Sequence, residues 1–335
     1  FPVGVGATLR VLVPEGWPAL WPADVSVRVG EEYEAIVVEA EWVPSGASGG
    51  DHNGDDSGNN SGATQPPPPP TLVAEAVGGD VEVRLVPPPP PSSTSTTTKD
   101  GAGKAGGGGF NPGGFGAAGR GVIRCLIPPR FCGVDVVSGG GDVTVETVVE
   151  SHVAIDSGGG DVTIGSIKGA ILRIATGGGA LTAKNLTADS NISTDGGGVT
   201  LGKLVGRAID LHTLGGDVSV GALFADAVTL DTSGGSIALK TVQVSGAGAF
   251  RSHGGGVRIQ GLAGDGEEHT LVDSGGGTVA VELHERLHRL TVRSGGGDVS
   301  LTAPEGFAPR VVVRGRYLGA AVNGPVELGG DGAGE

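Results

Sequence analysis

The sequence predicts an all-β protein. It is a single-stranded β-solenoid of about nine to eleven coils, with a β-rich N-terminal cap and low-complexity insertions. Three observations predict it. Gly supplies 67 of the 335 residues and Pro 21, and 25 of the Gly fall in clusters that recur at a regular spacing. Gly clusters at 139–141, 158–160, 177–179, 196–198, 215–216, 234–235, 254–256, 275–277 and 295–297 share one setting: apolar, any, Ser/Thr, Gly-Gly-Gly, Asp or small, apolar, any, apolar. The apolar residues keep that frame, and helical periodicity of useful length is missing, which argues against a doubly wound sheet or a TIM barrel.

Before the Gly clusters stand Val136, Ile155, Ile174, Ile192, Leu211, Leu230, Phe250, Val272 and Val292. Seven residues later come Val143, Val162, Leu181, Val199, Val218, Ile237, Val257, Val279 and Val299. Two further on come Val145, Ile164, Ala183, Leu201, Val220, Leu239, Ile259, Val281 and Leu301. A fourth series, Val148, Ile167, Leu186, Leu204, Leu223, Val242 and Leu262, fades in the last two copies. The step varies from 18 to 22 residues. Such a unit is too small to bury its own apolar face, so equivalent strands must stack into internal ladders. At about 4.8 Å per coil, nine coils make a rod on the order of 43 Å. The drift in step favours a right-handed or irregular coil over a strict six-residue beat. Gly suits the corners because it accepts positive φ and close backbone approach.

Residues 1–43 carry strand patterns at 8–14, 24–30 and 34–43, with Trp17 and Trp21 between the first two, and read as the N-terminal cap. Residues 44–70 are Gly/Ser/Asp/Asn-rich and end in five prolines, and they read as a disordered linker. Residues 71–86 contain Val77-Gly-Gly-Asp-Val-Glu-Val83, an early copy of the repeat. Residues 87–121, a Pro, Ser/Thr and Gly-rich stretch, read as a second disordered insertion with its proline run in polyproline II. The repeats fill 122–303, a C-terminal cap is expected over 304–328, and 329–335 form a tail.

The segment Ile127-Pro-Pro-Arg-Phe-Cys-Gly-Val-Asp-Val-Val-Ser-Gly-Gly-Gly-Asp-Val-Thr-Val-Glu146, with the repeat that follows, resembles the adhesin-type β-solenoid domain of unknown function that is common in bacteria. Eukaryotic proteins that carry it behind a short β-rich head are most similar. The likeness covers roughly 122–328, with a fainter match in 1–86. It implies a solenoid fold and an adhesive or scaffolding role, and it carries no catalytic residues.

The formal net charge is −15, which repels phosphate backbones and argues against nucleic acid as a partner. A protein or glycan partner stays open and unidentified. No stretch approaches the 18 apolar residues of a membrane span. The chain begins at Phe1 and has no Met. It therefore reads as a processed product or a fragment, and its compartment stays open. Cys125 and Cys132 are too few for a disulfide scaffold, and their spacing permits either one bridge or two ordinary thiols.

Three patterns carry possible chemistry. Asp142, Asp161, Asp217 and Asp298 follow Gly clusters and are the candidate metal ligands, on the analogy of calcium-binding β-rolls. The equivalent Ala180, Gly198, Ser236, Gly256 and Thr278 break that ladder, whereas calcium takes 6–8 oxygens. A turn-stabilising Asp is the better reading. His284-Glu-Arg-Leu-His288 matches the H-E-x-x-H zinc-protease motif, but the setting between two strands leaves no room for the helix that chemistry needs, so it reads as a solvated corner. A carbohydrate-active β-helix enzyme would need Asp, Lys and Arg clustered on one face. The repeat region has no Trp and shows no such alignment in the sequence. The expectation is a non-enzymatic scaffold or binding surface without catalytic residues or cofactor. The alternatives are a carbohydrate-active β-helix enzyme and a calcium-stabilised adhesive module.

Overall fold

A computed structural model describes residues 7–12, 23–29, 36–43, 71–77, 80–86, 120–128, 132–264, 268–284, 287 and 289–304. The bulk of both low-complexity insertions, the C-terminal cap beyond residue 304, the tail, Trp17 and Trp21 lie outside the described residues. Within the described residues there are nineteen strands and no helix. Stacked parallel strands form a β-solenoid of about eight turns, slightly fewer than the nine to eleven coils expected. The chain divides into two compact units, Phe1–Gly198 and Val199–Glu335.

In the first unit the strands are β1 (Thr8–Leu12), β2 (Ala23–Val29), β3 (Val37–Val43), β4 (Thr71–Val77), β5 (Asp80–Val86), β6 (Arg120–Ile127), β7 (Gly133–Val137), β8 (Val143–Asp156), β9 (Val162–Ala175) and β10 (Leu181–Ser193). Strands β8, β9 and β10 stack in parallel, so Ile155 lies opposite Ile174 and Ile174 opposite Ile192. All three side chains are buried. The residues eighteen or nineteen apart therefore sit over one another, as the apolar series requires.

The head of this unit is threaded out of chain order. Strand β1 lies between β5 and β7, parallel to both, with Leu9 opposite Val81 on one side and Val134 on the other. Strand β2 likewise lies between β6 and β8. The turn built from β1 and β2 is thus sandwiched between the β5–β6 turn and the first repeat. Strands β3 and β4 pair antiparallel with β6 and β5. The sequence reads 71–86 as an early coil; instead Val77 opposes Asp80 across two intervening residues, so β4–β5 is a hairpin and only β5 joins the parallel stack.

The second unit contains β11 (Val199–His212), β12 (Val218–Asp231), β13 (Ile237–Val244), β14 (Gly248–Arg251), β15 (Val257–Ala263), β16 (His269–Asp273), β17 (Val279–Leu283), β18 (Arg289–Arg293) and β19 (Val299–Thr302). These also pair in parallel and in register, for example Leu211–Leu230–Phe250–Val272–Val292. Phe250 is fully buried, and a Cβ on the nearby Gly248 would crowd the Thr270 side chain of the next turn at 3.2 Å. The last copy departs from the expected core: Val299 and Leu301 are 51% and 38% exposed. Strands β18 and β19 have one parallel partner each among the described residues, β16 and β17.

Candidate functional site

The corners concentrate the polar groups of the repeat. Each Gly triplet uses its three positions differently. The first is left-handed, with φ near +60° at Gly139, Gly158, Gly177, Gly275 and Gly295, and it tolerates Asp195, Leu214, Ser233 and His253 at φ 48–52°. The second has φ between 107° and 137° wherever it is described, and is always Gly. At the third, a Cβ on Gly160, Gly179 or Gly197 would meet the carbonyl oxygen of the Gly one turn earlier at 1.9–2.1 Å.

Within each unit a buried hydroxyl ladder ties successive corners together. Ser138, Ser157, Thr176, Thr194, Thr213, Thr232, Ser252 and Ser274 are fully buried. Each donates to the third-Gly carbonyl of its own corner, as Thr176 Oγ1 does to Gly179 O at 2.5 Å and Ser274 Oγ to Gly277 O at 2.6 Å. Most also face the carbonyl of the equivalent residue in the next turn, as Ser157 Oγ does toward Thr176 O at 3.1 Å. A buried hydroxyl needs such partners to offset its desolvation.

Three of the four Asp candidates clamp a backbone amide of the neighbouring turn. The amide of Asp161 donates to Asp142 Oδ1 at 2.9 Å, and the amide of Ala180 to Asp161 Oδ1 at 2.8 Å. Asp217 Oδ1 accepts from Ser236 N at 2.7 Å. Asp24 extends the row, accepting from Asp142 N at 2.9 Å, a neighbour that the 118 intervening residues hide from the sequence. Asp298, in the last copy, gives its backbone carbonyl to Val279 N. Among the described residues no three His, Cys, Asp or Glu side chains converge to hold a metal ion. Of the H-E-x-x-H pattern, exposed His284 directly follows β17, while Glu285 and His288 lie outside the described residues.

Cys125 and Cys132 are both free and buried. Burial pushes the Cys125 thiol up to about 12. It pushes Cys132 up to about 11, with a backbone hydrogen bond from Leu9 opposing and the Asp80 charge adding to it.

One cluster of titratable groups does form, and it corrects the expectation that charges fail to align. His212, Asp231, Arg251, Asp273 and Arg293 are successive in-register partners down the second unit. The sequence hides this because the corresponding positions of the first unit include Val137 and Ala175. His253 Nε2 reaches Asp231 Oδ2 at 3.1 Å, and Ser233 donates to Asp231 Oδ1 from both its amide, at 2.9 Å, and its hydroxyl, at 3.1 Å. Burial raises the Asp231 pKa, but the His253 hydrogen bond, the two Ser233 bonds and the His253 charge outweigh it, so the carboxyl sits below its usual value. His212 Nε2 lies 2.8 Å from Asp210 Oδ1, off the hydrogen-bonding direction, and that buried oxygen has no hydrogen-bond partner. Ser, His and Asp therefore meet here, but Ser233 and His253 both bind the carboxylate and the structure gives no Ser–His bond. A nucleophile needs its base within hydrogen-bond reach.

No family model, curated protein or solved structure matches this chain.

Proposed function

We propose that the protein is a non-enzymatic, adhesin-like β-solenoid that acts as a scaffold or binding surface for a protein or glycan partner. One observation carries this reading. The repeated carboxylates at the corners are spent on backbone amides of the next turn, at 2.7–2.9 Å, and the repeated hydroxyls on backbone carbonyls. Groups held this way support stacking and leave the side chains between the ladders to meet a partner. The acidic balance favours partners other than nucleic acid. No helix among the described residues is long and apolar enough to cross a membrane.

A second reading, a carbohydrate-active β-helix enzyme, draws on the His212–Asp231–His253–Arg251 cluster. The two are separated by incubating the full chain with a panel of acidic and neutral polysaccharides and measuring both retention and chain length. A scaffold retains a ligand and leaves its length unchanged. Depolymerisation that disappears in Asp231→Asn would overturn the proposal in favour of the enzyme.

A further inference from the structure

We infer that the turn built from β1 and β2 is an exchangeable arm, and that the slot it fills accepts the same two strands of a second copy. The inference is independent of what the solenoid surface binds. It rests on the threading of the first unit. The chain leaves β6 at Ile127 and re-enters the stack at β7, one turn beyond the neighbour of β6, because β1 and β2 occupy the intervening place. The inserted turn therefore belongs to neither neighbour in chain order. Its chain continues from β2 into β3, which lies on the far side of β6.

The slot is a full solenoid turn in chemistry as well as position. Leu9, Val11, Val25 and Val27 are at most 1% exposed, packed in register between Val81, Val83, Ile123 and Cys125 on one side and Val134, Val136, Val143 and Val145 on the other. Its edges are tied on both sides. Thr8 N donates to Asp80 Oδ1 at 2.9 Å, and Gly133 N to Ala7 O at 2.9 Å. Val25 N donates to Asp142 O at 2.8 Å, and Asp142 N to Asp24 Oδ1 at 2.9 Å. Arg10 reaches Asp80 at 3.3 Å and Arg28 reaches Glu146 at 3.3 Å.

Asp24-Val-Ser-Val repeats the Asp142-Val-Thr-Val pattern of the first Gly corner, so the arm reads as a repeat that has moved along the chain. Both walls of the slot come from residues 80–145, whereas the arm ends at residue 29. The slot thus forms from later chain, and any arm of matching sequence satisfies it equally. Exchange of an identical element between copies makes the same contacts in both states and is an inexpensive route to assembly.

The test uses full-length chains. Arg10 and Asp135 are direct partners on β1 and β7. Neighbouring strands stand about 4.8 Å apart, within the Cα range of a disulfide. Arg10→Cys chains and Asp135→Cys chains are unfolded together, refolded under mild oxidation, and mapped by mass spectrometry for a 10–135 link between chains. The expected result is a linked dimer in the mixture and none in either variant alone. A tenfold rise in refolding concentration should raise the dimer-to-monomer ratio about tenfold, as a bimolecular step competing with a unimolecular one requires. The double variant Arg10→Cys/Asp135→Cys reports the seating itself by closing within one chain at low concentration. Closure in the double variant without any link in the mixture overturns exchange. Failure of the double variant to close overturns the seating of β1 on β7, and the inference with it.

Discussion

Replacing Gly179 with Ala places a Cβ 2.1 Å from Gly160 O, 2.5 Å from Gly160 C and 2.9 Å from Gly159 O. All three are backbone atoms, so no side-chain rotation relieves the overlap. Relief means parting two turns by about 1 Å, measured against ordinary van der Waals contact. That parting strains the Gly159 N–Thr176 O bond of 2.5 Å and the buried Ser157 hydroxyl shared between Gly160 O and Thr176 O. Overpacking together with partly unmade buried hydrogen bonds should cost about 3–5 kcal/mol. Gly178→Ala is the control. Its φ is +116°, but nothing lies within 4 Å of the added Cβ, so backbone strain alone applies, about 1–3 kcal/mol. Urea unfolding followed by circular dichroism ranks the two. A loss for Gly179→Ala no larger than that for Gly178→Ala would refute the close-approach argument and leave backbone conformation as the whole reason for glycine at these corners.

Other outcomes follow from the same geometry. Thr213→Val keeps the shape but leaves Gly216 O without the 2.5 Å hydroxyl bond it accepts, and should cost about 1–3 kcal/mol in the same urea assay. Asp161→Ala frees the Ala180 amide at an exposed edge, and a loss of about 1 kcal/mol is expected. Because these carboxylates act as clamps, the melting temperature should not move on adding calcium or a chelator. Asp231 has its folded pKa below the unfolded value of about 3.9, so its stabilisation is present above that pH and is lost as pH falls through the folded value. Asp231→Asn should therefore flatten the acid limb of a melting-temperature profile below about pH 4. Cys125 and Cys132, with thiols pushed up to about 12 and 11, should resist iodoacetamide at pH 8 and react only after denaturation, as counted by mass spectrometry.

The stack was legible because its spacing is local. A period of eighteen to twenty-two residues brings Ile155, Ile174 and Ile192 into one column whether or not anything else is known. The row of Asp24, Asp142 and Asp161 was not legible, since its first two members become neighbours only through a chain excursion of 118 residues. The same excursion hides the hairpin at β4–β5, where Val77-Gly-Gly-Asp80 has the composition of a corner but reverses the chain. The charged column from His212 to Arg293 escaped for another reason. It occupies the position just outside the buried Ser/Thr, where the first unit places Val137 and Ala175, so no single pattern covers the whole chain. A fifth buried series, including Val153 and Leu172 in the first unit and Ile209 and Val228 in the second, was masked by Ser190, Gly248 and Thr270 at equivalent places.

These differences locate where the repeat is strict. Apolar columns accept exchange of volume: Ala183 stands among Ile164 and its equivalents, and Phe250 stands in one column with Leu230 and Val272. The corner accepts almost none at two of its three glycines, because one is fixed by backbone conformation and the other by the carbonyl 1.9–2.2 Å from where a Cβ would stand. Register is therefore set by the polar corner, and the apolar interior supplies the driving force without specifying which turn follows which. That division explains how a turn drawn from residues 8–29 can sit against one drawn from residues 133–145. Its valines and leucine match the columns, its Asp24 supplies the corner clamp, and the stack has no physical means of telling that the chain arrived there out of order.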